Sequence, residues 1–492
     1  MTLDPKWVPM KWPCGPLALA QRSKDEAPEA GVKETLDAWA QPTALDILKG
    51  TSINCLLVDW AADGPDDAAQ QEALKPIIEA GHAKGISVVG KITAKNASAA
   101  AASGKAAGLA AVLLTEPAGK DLDLPAILQV ARDKVAWDAV TSIFSASDNE
   151  WPGIKADTMK GDTAVAGPTG VPWVNSNAWF SLLAAHMAPG KTVWLDFDPP
   201  EDSTVANPAD YPLAIADSEV YGSRWIISLD DKFREALLKG VPSATATWTK
   251  TTETTAFFLR HPQWRTYKPQ GILTVISDFS GDNAFTSSET MNLLNRRHVQ
   301  FKLMERSKAL LVPMPGERAL LWLDKDAPTA EQMPKALEFV RHGGLLIAPT
   351  YWGPAGVKPT RRDPSIAYQV YNVGQGQMAV PDEGFQDPYQ VALDTQLLVS
   401  RRNDLARLYN PATTNVHCSF DPVHQHRLVQ IVNYSTAPAT YVTLWVNTRA
   451  RAARFWNSGA QDSQTIQGVS APPGTDFGLP TITANCALEI EV

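Results

Sequence analysis

The sequence predicts an α/β protein built from a (β/α)₈ TIM-like barrel, a flavodoxin-like α/β domain and a small C-terminal antiparallel β-sandwich. From 51 to 116, apolar runs alternate with segments of helical spacing, which is typical of parallel strands buried on both faces. A second alternating stretch begins at Gly271. After Pro411 the pattern changes to short alternating strands separated by turn residues. We expect domains at 1–245, 246–410 and 411–492.

The barrel elements follow from this alternation, taken in chain order. The strands are expected at 16–21, 53–60, 86–92, 109–116, within 135–145, near 164–168, at 192–198 and at 224–230. The helices are expected at 66–84, 96–107, 122–132, 178–187 and 211–221. The chain up to about Gly240 is short but adequate for a barrel of this kind.

The remaining chain divides into a linker, an α/β domain and a β domain. The Thr-rich segment 243–255 reads as a linker, and 256–264 as a short helix packing between domains. The α/β strands are expected at 272–279, 299–305, 319–324 and 345–350, with helices at 287–297, 330–342 and 387–409. The C-terminal strands are expected at 416–420, 427–433, 439–446, 452–456 and 484–492.

Composition narrows the class of partner. The chain has 492 residues, with 44 Lys+Arg against 53 Asp+Glu, a net charge of −9 that favours neither nucleic acid nor an anionic membrane. It lacks a run of roughly 18 apolar residues, so we expect no membrane helix. Residues 1–16 lack the pattern of a signal peptide, so a cytoplasmic location is expected, although a trimmed export signal remains compatible. The four cysteines form no C-x-x-C pair and are expected to be reduced thiols.

Carboxylates at predicted strand ends indicate where chemistry takes place, because barrel enzymes place their sites at the carboxyl ends of the strands. The set is Asp59, Glu116, Asp196, Asp198, Asp230 and Asp231. Glycoside hydrolysis requires two carboxyl groups, one protonated and one ionised. Glu116 is the candidate acid, and Asp196 or Asp198 the candidate nucleophile or base. The alternative is structural, since such residues often cap the next helix or pair with a barrel Lys or Arg.

Aromatic and amide side chains supply candidates for sugar binding. Four tryptophans are candidate platforms for the apolar faces of sugars: Trp60, Trp151, Trp173 and Trp179. The polar candidates are Asp59, Glu150, Asn175, Asn177 and Asp230. Packing is the alternative role of each tryptophan, and helix capping is that of Asn177.

Motifs for cofactors and metals are missing from the sequence. It contains no Walker sequence, no G-x-S-x-G and no H-E-x-x-H, so no cofactor is expected. His424 and His426 share one face of a strand, but no third ligand is in view, and a polar strand edge is the simpler interpretation. A metal-dependent hydrolase using the Asp cluster is a third alternative.

The segment 336–353 (ALEFVRHGGLLIAPTYWG) resembles the strand entering the trimerisation domain of family 42 glycoside hydrolases, the β-galactosidases. The resemblance implies a barrel, a domain like class I glutamine amidotransferases and a β-sandwich, in the order proposed above. It also implies assembly into a homo-oligomer through 271–409. The turn where an amidotransferase carries its nucleophilic Cys reads Thr350-Tyr351-Trp352-Gly353, so no amidotransferase chemistry is expected.

The barrel departs from that family at both catalytic positions. The family acid/base is a Glu preceded by Asn, whereas Glu116 follows Thr115; its nucleophile is a Glu, where this chain has Asp196 and Asp198. The resemblance implies a glycoside hydrolase acting on an oligosaccharide or glycoside. The alternative is a non-catalytic carbohydrate-binding or assembly protein that retains the scaffold.

Overall fold

A computed structural model describes most of the chain as two separate units. The described residues are 3–22, 31–93, 95–117, 122–154, 174–199, 209–308, 317–352, 358–363, 366, 368–385, 387–411, 413–435 and 437–492. One unit comprises Met1–Trp151 and Ala188–Arg260, and the other Pro152–Met187 and His261–Val492.

The strands and helices are numbered here in chain order. The strands of the first half are β1 (Pro9–Lys11), β2 (Cys55–Ala61), β3 (Ser87–Ile92), β4 (Ala111–Leu114), β5 (Ala126–Ala131), β6 (Ile143–Ser147), β7 (Gly153–Ile154), β8 (Val174–Asn175), β9 (Thr192–Leu195) and β10 (Arg224–Trp225). Those of the second half are β11 (Lys268–Pro269), β12 (Leu273–Ser277), β13 (Phe301–Glu305), β14 (Ala319–Trp322), β15 (Leu345–Ile347), β16 (Arg361–Asp363), β17 (Tyr368–Val373), β18 (Gly376–Pro381), β19 (Ala406–Tyr409), β20 (Thr414–Asp421), β21 (His426–Asn433), β22 (Thr443–Val446), β23 (Ala452–Asn457), β24 (Gln464–Ala471), β25 (Gly474–Gly478) and β26 (Asn485–Glu491). The α-helices are α1 (Gly15–Arg22), α2 (Val32–Trp39), α3 (Asp67–Ala83), α4 (Ala97–Ala107), α5 (Ala178–Met187), α6 (Asp210–Val220), α7 (Asp231–Leu238), α8 (Pro242–Arg260), α9 (Ala284–Arg296), α10 (Gln332–Arg341) and α11 (Pro388–Val399).

The first unit is a closed parallel barrel, as predicted. Its eight strands follow the order β1-β2-β3-β4-β5-β6-β9-β10, and every neighbouring pair is parallel. The first and last strands close the ring: the Lys11 amide donates to the Ile227 carbonyl at 2.8 Å, and the Ile227 amide donates to the Pro9 carbonyl at 3.0 Å.

One buried apolar cluster fills the interior of the barrel. It takes Leu57, Val89, Ile127, Trp194 and Ile226 from separate strands, together with their neighbours. Because side chains alternate along a strand, the residue two positions after each of these also faces inward. The inward-facing residues therefore change from apolar in the core to polar near the carboxyl ends of the strands.

Two predicted elements of the barrel are wrong. The segment 16–21 forms helix α1, and the first strand is β1, only three residues long and too short to give a period-2 signal. The predicted helix 122–132 contains strand β5, whose short apolar run fits either structure. The strand sought within 135–145 is β6, the sixth barrel strand. The segment 164–168 lies outside the described residues.

The predicted linker 243–255 is also wrong, because it lies inside the 19-residue helix α8. Its threonine hydroxyls donate to the carbonyls four residues earlier, at 2.8 Å from Thr251 to Thr247 and 3.1 Å from Thr255 to Thr251. These local bonds satisfy the hydroxyls along the helix. The short helix expected at 256–264 is the end of α8 followed by a 3₁₀ turn over Pro262–Thr266.

The second unit begins with a mixed seven-stranded sheet of order β13-β12-β14-β15-β18-β17-β16. The five neighbouring strands β13, β12, β14, β15 and β18 are parallel to one another. When these five alone are numbered along the chain, they have the 2-1-3-4-5 order of flavodoxin-like sheets. The antiparallel strands β17 and β16 extend it, and were not predicted.

This unit also contains a nine-stranded sheet in which every neighbouring pair is antiparallel, with order β11-β20-β21-β26-β23-β24-β25-β22-β19. Its strands share one apolar core. The helix predicted over 387–409 ends at Val399, because Ser400 adopts a positive φ of 69° and breaks it. Strand β19 then joins the antiparallel sheet. Among the described helices, none has the length and apolarity to cross a membrane.

Candidate functional site

The inward register places a polar layer at the carboxyl ends of the barrel strands. It brings Asp59, Lys91, Gln129 and Ser145 above the apolar core, two residues beyond its members. Asp196 continues the same register after β9, and its amide donates to the Ala146 carbonyl at 2.9 Å. Sites of barrel enzymes are built at this end of the strands.

Lys11 joins the two predicted seventh-strand carboxylates. Its Nζ lies 2.6 Å from Oδ1 of Asp196 and 2.9 Å from Oδ1 of Asp198. The exposed fraction of the side chain is 26% for Lys11, 11% for Asp196 and 69% for Asp198. The Asp196 carboxylate is therefore largely covered at the rim, and the Asp198 carboxylate is open to solvent.

Neutral hydrogen-bond donors fix both carboxylates. The Gln129 side-chain amide donates to Oδ2 of Asp196, and the Ser228 hydroxyl donates to Oδ1 of Asp198 at 2.5 Å. Asn149 follows β6, and its Nδ2 donates to the backbone oxygen of Asp196 at 3.2 Å. Strands β1, β5, β6, β9 and β10 thus all contribute to this end of the barrel.

The charges of this group determine its protonation. Burial alone lowers the pKa of Lys11, but the Asp196 and Asp198 carboxylates outweigh it and raise the pKa above the ordinary value. Desolvation raises the pKa of Asp198, but Lys11 and the Ser228 hydroxyl outweigh it and hold the pKa below the usual range. Asp198 is therefore ionised at neutral pH, which suits a nucleophile or base rather than an acid.

Glu116 follows β4 and stands apart from that group. Its side chain is exposed, and it forms no hydrogen bond or ion pair with the described residues. Residues 118–121, directly beyond it, lie outside the described part of the chain. Glu116 is thus at the predicted strand end, and its carboxyl group is open to a ligand.

Asp230 has the helix-capping role that was its structural alternative. Its Oδ1 accepts from the Phe233 amide at 2.9 Å, at the start of α7. Its Oδ2 accepts from the Tyr211 hydroxyl at 2.9 Å. Asp231 forms an ion pair with Arg22 at 3.0 Å and also with the buried Arg234. Both carboxylates are engaged in holding α7.

Trp60 and Trp151 are buried in the barrel unit. The Trp60 indole N–H donates to the Ala100 carbonyl at 3.0 Å and to the Ser103 hydroxyl at 3.1 Å, so this side chain faces helix α4. Trp151 packs edge-on against Tyr211 and Trp225, with ring centroids 5.4 and 5.7 Å apart. Trp60 packs the wall of the barrel, on the side away from the polar layer.

The remaining predicted barrel residues lie at the rim. Glu150 forms an ion pair with Arg132 at 3.0 Å, between the segments that follow β6 and β5. Asp59 is partly buried in β2, directly opposite Lys91 of β3 in the parallel register. The Asp59 carboxylate makes no hydrogen bond to a described residue, and only its backbone carbonyl accepts, from Gln70 at 2.8 Å.

The structure does not group Asn175, Asn177 and Trp179 with the barrel residues, because they belong to the second unit. Asn175 pairs with Gly153 in a two-stranded sheet. Asn177 is fully buried, and its carbonyl accepts from the Ser181 amide at 3.0 Å at the start of α5. Trp179 is buried in that helix, and Trp173 lies outside the described residues.

Metal-ligating side chains do not cluster in the described part of the chain. Among those residues, no group of three or more His, Cys, Asp or Glu is placed to hold an ion. His424 instead pairs with Asp421 at 2.5 Å, and His426 lies 3.8 Å from Glu489. All four cysteines are buried and free.

Four rim residues were missed by the sequence analysis: Lys11, Gln129, Asn149 and Ser228. Lys11 belongs to a strand too short to be recognised, and Gln129 to a strand predicted as helix. Asn149 directly precedes the candidate Glu150, and Ser228 lies within the predicted eighth strand. Gln129 and Ser228 lie two residues beyond the core members Ile127 and Ile226, and correct strand positions would have revealed this signal.

The chain has a glycoside hydrolase-like fold, as the resemblance in domain order implied. Among solved structures it is similar to α-L-fucosidase isoenzyme 2 from Paenibacillus thiaminolyticus, with a TM-score of 0.55 and 9% identity over 92% of this chain and 95% of that chain.

Other similarities to solved structures are weaker. An exo-β-1,4-mannosidase from Opitutaceae bacterium strain TAV5 gives a TM-score of 0.49 and 10% identity over 81% of this chain and 97% of that chain. A family 42 β-galactosidase from G. stearothermophilus gives a TM-score of 0.36 and 9% identity over 96% of this chain and 71% of that chain. No family model matches the sequence, and no curated protein matches it. At these identities the likeness concerns the fold alone.

Proposed function

We propose that the protein is a glycoside hydrolase that acts on an oligosaccharide or glycoside at the carboxyl-end rim of the barrel. The observation that carries the proposal is the exposed Asp198 carboxylate, which Lys11 and Ser228 hold in place at that rim. The glycoside hydrolase-like fold supports it. Such a site requires a second carboxyl group across the bound sugar.

Glu116 and Asp198 are the proposed acid and its partner. They follow β4 and β9, which are separated in the barrel by β5 and β6, so the two groups approach the rim from different strands. Asp198, held ionised, serves as nucleophile or base. Glu116 has no competing partner among the described residues, so its carboxyl group is open to the leaving-group oxygen of a bound sugar.

Other rim groups are proposed to bind hydroxyls of the substrate. The Asp59 carboxylate faces the mouth of the barrel with no hydrogen-bond partner among the described residues, so it can accept from a sugar hydroxyl. Glu150 is held beside the rim by Arg132. Trp151, buried against Tyr211, supports this side of the barrel by packing.

A panel of chromogenic aryl glycosides tests the proposal. The wild-type chain is expected to release the aryl group from at least one member, and Asp198→Asn and Glu116→Gln are each expected to lose that activity. Asp46→Asn is a matched control, because Asp46 is an exposed aspartate in a surface ion pair with Lys84. Addition of a chelator is expected to leave the rate unchanged, which separates this mechanism from a metal-dependent hydrolase.

The second candidate function is carbohydrate binding without turnover. It is favoured by the ion pairing of Asp196 and Asp198 with Lys11 and by the capping role of Asp230, since these carboxylates also serve the structure. Calorimetric titration of oligosaccharides distinguishes the two functions. Binding with no hydrolysis of any aryl glycoside indicates the binding protein.

We also propose that the chain forms a homo-oligomer through the flavodoxin-like sheet and its helices, as in the domain it resembles. Light scattering on the full chain tests this assembly. The expected particle mass is a multiple of the 53.3 kDa of one chain, and a mass of one chain contradicts it.

A cytoplasmic location is proposed as well. The four cysteines are buried free thiols, which agrees with a reducing compartment. Fractionation of the native source, with the protein followed by antibody, is expected to place it in the cytoplasmic fraction.

A further inference from the structure

We propose that Lys11 is a positioning residue that divides the roles of the two seventh-strand carboxylates, with Asp196 as its fixed anchor and Oδ2 of Asp198 as the atom that meets the substrate. This inference rests on the proposed glycoside hydrolase function and goes beyond it. It assigns different tasks to two aspartates that the sequence offers as equivalents.

The two carboxylates differ in how many of their oxygens are engaged. Both oxygens of Asp196 have partners, Oδ1 with the Lys11 ammonium and Oδ2 with the Gln129 amide. Asp198 uses one oxygen only: Oδ1 contacts Lys11 and accepts from Ser228. Its Oδ2 has no hydrogen-bond partner among the described residues. Asp198 is thus held by one oxygen, and the other is available.

The exposed fractions of the two side chains also differ, and again Asp198 is the more accessible of the two. Nine-tenths of the Asp196 side chain is covered, since its exposed fraction is 11%, whereas that of Asp198 is 69%. To bind a sugar, the largely covered Asp196 carboxylate would have to give up its contact with Lys11 or with Gln129, and weakening the compensation of a covered charge is costly. An exposed carboxylate with one open oxygen can approach a substrate while its other oxygen stays anchored.

The charge of the Lys11 ammonium favours its position between the Asp196 and Asp198 carboxylates. Lys11 is itself only 26% exposed, and two carboxylates compensate its charge. Among the described residues, the charged groups facing Asp198 are Lys11 from β1, Asp196 from the same strand end, Arg22 from α1 and Arg234 from α7. Lys11 is the cation of this set in direct contact, so its removal has the largest effect on Asp198.

The test uses Lys11→Met in the full-length chain, with Lys84→Met as control. Lys84 also forms an ion pair with an aspartate, Asp46 at 2.8 Å, but that pair lies on the surface of the same unit. Protein labelled with ¹³C in the aspartate carboxyl groups is titrated by NMR, and the Asp198 signal is assigned by its loss in Asp198→Asn. This readout needs no enzymatic activity.

The expected result is that Asp198 titrates below the ordinary aspartate range in the wild type and in Lys84→Met, and at least one pH unit higher in Lys11→Met. An Asp198 titration that is the same in Lys11→Met as in the wild type overturns the inference. If Lys11→Met does not fold, Ser228→Ala removes the other contact to Oδ1. It is expected to move the titration in the same direction by a smaller amount, and an unchanged titration overturns the inference.

Kinetics test the division of roles. Asp198→Asn is expected to lower kcat at least 1,000-fold, and Asp196→Asn and Lys11→Met about 10- to 100-fold with KM little changed. In Lys11→Met the acid limb of the pH–rate profile is expected to move to higher pH, and Lys11→Arg to restore part of the shift. Equal losses in the two aspartate variants overturn the assignment. If the wild type hydrolyses no glycoside, the proposed function fails, while the NMR titration still decides the role of Lys11.

Discussion

The Lys11 ammonium and the Asp196 carboxylate, 2.6 Å apart, connect the first barrel strand to the end of β9. These strands are not neighbours, because β10 lies between them in the closed ring. The ion pair therefore spans one strand at the carboxyl-end rim. A contact of this kind fixes the spacing of side chains from separate strands, which any catalysis at the rim requires.

Glu116→Gln is expected to lower kcat at least 100-fold, because an amide cannot supply the proton that a carboxylic acid gives to the leaving group. Stability is expected to change by less than about 0.5 kcal/mol, since the side chain is exposed and has no partner among the described residues. Glu79→Gln, an exposed glutamate on α3, is the matched control. Undiminished turnover in Glu116→Gln removes Glu116 from the mechanism.

Asp230→Ala is expected to destabilise the protein by about 1–3 kcal/mol, because it removes the cap of α7 and the acceptor of the Tyr211 hydroxyl. Asp230→Asn keeps an oxygen for the Phe233 amide and is expected to lose less. Urea unfolding of both variants gives the values. If Asp230→Asn is fully stable but hydrolyses poorly, Asp230 contacts the substrate as well.

Gly90→Ala tests the packing role of Trp60. An added Cβ at Gly90 lies 2.5 Å from Leu109 Cδ1 and 2.9 Å from Trp60 Cβ, so overpacking is expected to cost about 1–3 kcal/mol. Gly64→Ala is the control, since the same atom there meets nothing within 4 Å. Thermal unfolding with equal midpoints in the two variants contradicts the packing of Trp60 against β3.

His298 is expected to make the second unit sensitive to acid. Burial, reinforced by Arg296, lowers the pKa of His298 to about 3, against roughly 6.5 in the unfolded chain. As the pH falls below 6.5 the unfolded state takes up a proton that the folded state refuses, so stability is lost toward pH 3. The slope from this group is at most about 1.4 kcal/mol per pH unit.

The measurement is urea unfolding between pH 7 and pH 5, in the wild type and in His298→Asn. Asparagine tolerates the positive φ of 56° at this position. A shallower loss of stability toward acid is expected in His298→Asn, and the wild-type slope in His342→Asn, where the side chain is exposed. Equal slopes in the wild type and His298→Asn contradict a neutral buried His298.

The parts of the barrel with long apolar runs were predictable from the sequence. The run ending at Asp59 and the run ending at Asp196 correspond to β2 and β9, because both strands are buried on both faces. Strand β1 was not predictable, because three residues are too few to show an alternation of apolar and polar side chains. Strand β5 was not predictable either, because its short apolar run is equally compatible with a helix. In α8, burial of one helix face, including Trp248 and Phe258, outweighs the low helix propensity of the threonines.

The candidate site was predictable only in part, for a related reason. Carboxylates at strand ends are visible in the sequence, but the partner of each is not, since partners come from distant strands. Asp198 meets Lys11, which is 187 positions away, whereas Asp230 meets the amide of Phe233 in its own helix. An aspartate that caps its own helix and one that contacts a distant strand have the same sequence pattern. The two roles are distinguished only once the positions of the strands in the closed barrel are known.

Hydrolysis of a broad panel of aryl glycosides by the wild type, Glu116→Gln and Asp198→Asn is the most direct measurement of the central claim, that carboxyl groups from two barrel strands cleave a glycosidic bond. Turnover of at least one glycoside by the wild type and its loss in both variants is the predicted result. No turnover of any glycoside by the folded wild type, or full turnover in both variants, contradicts the claim.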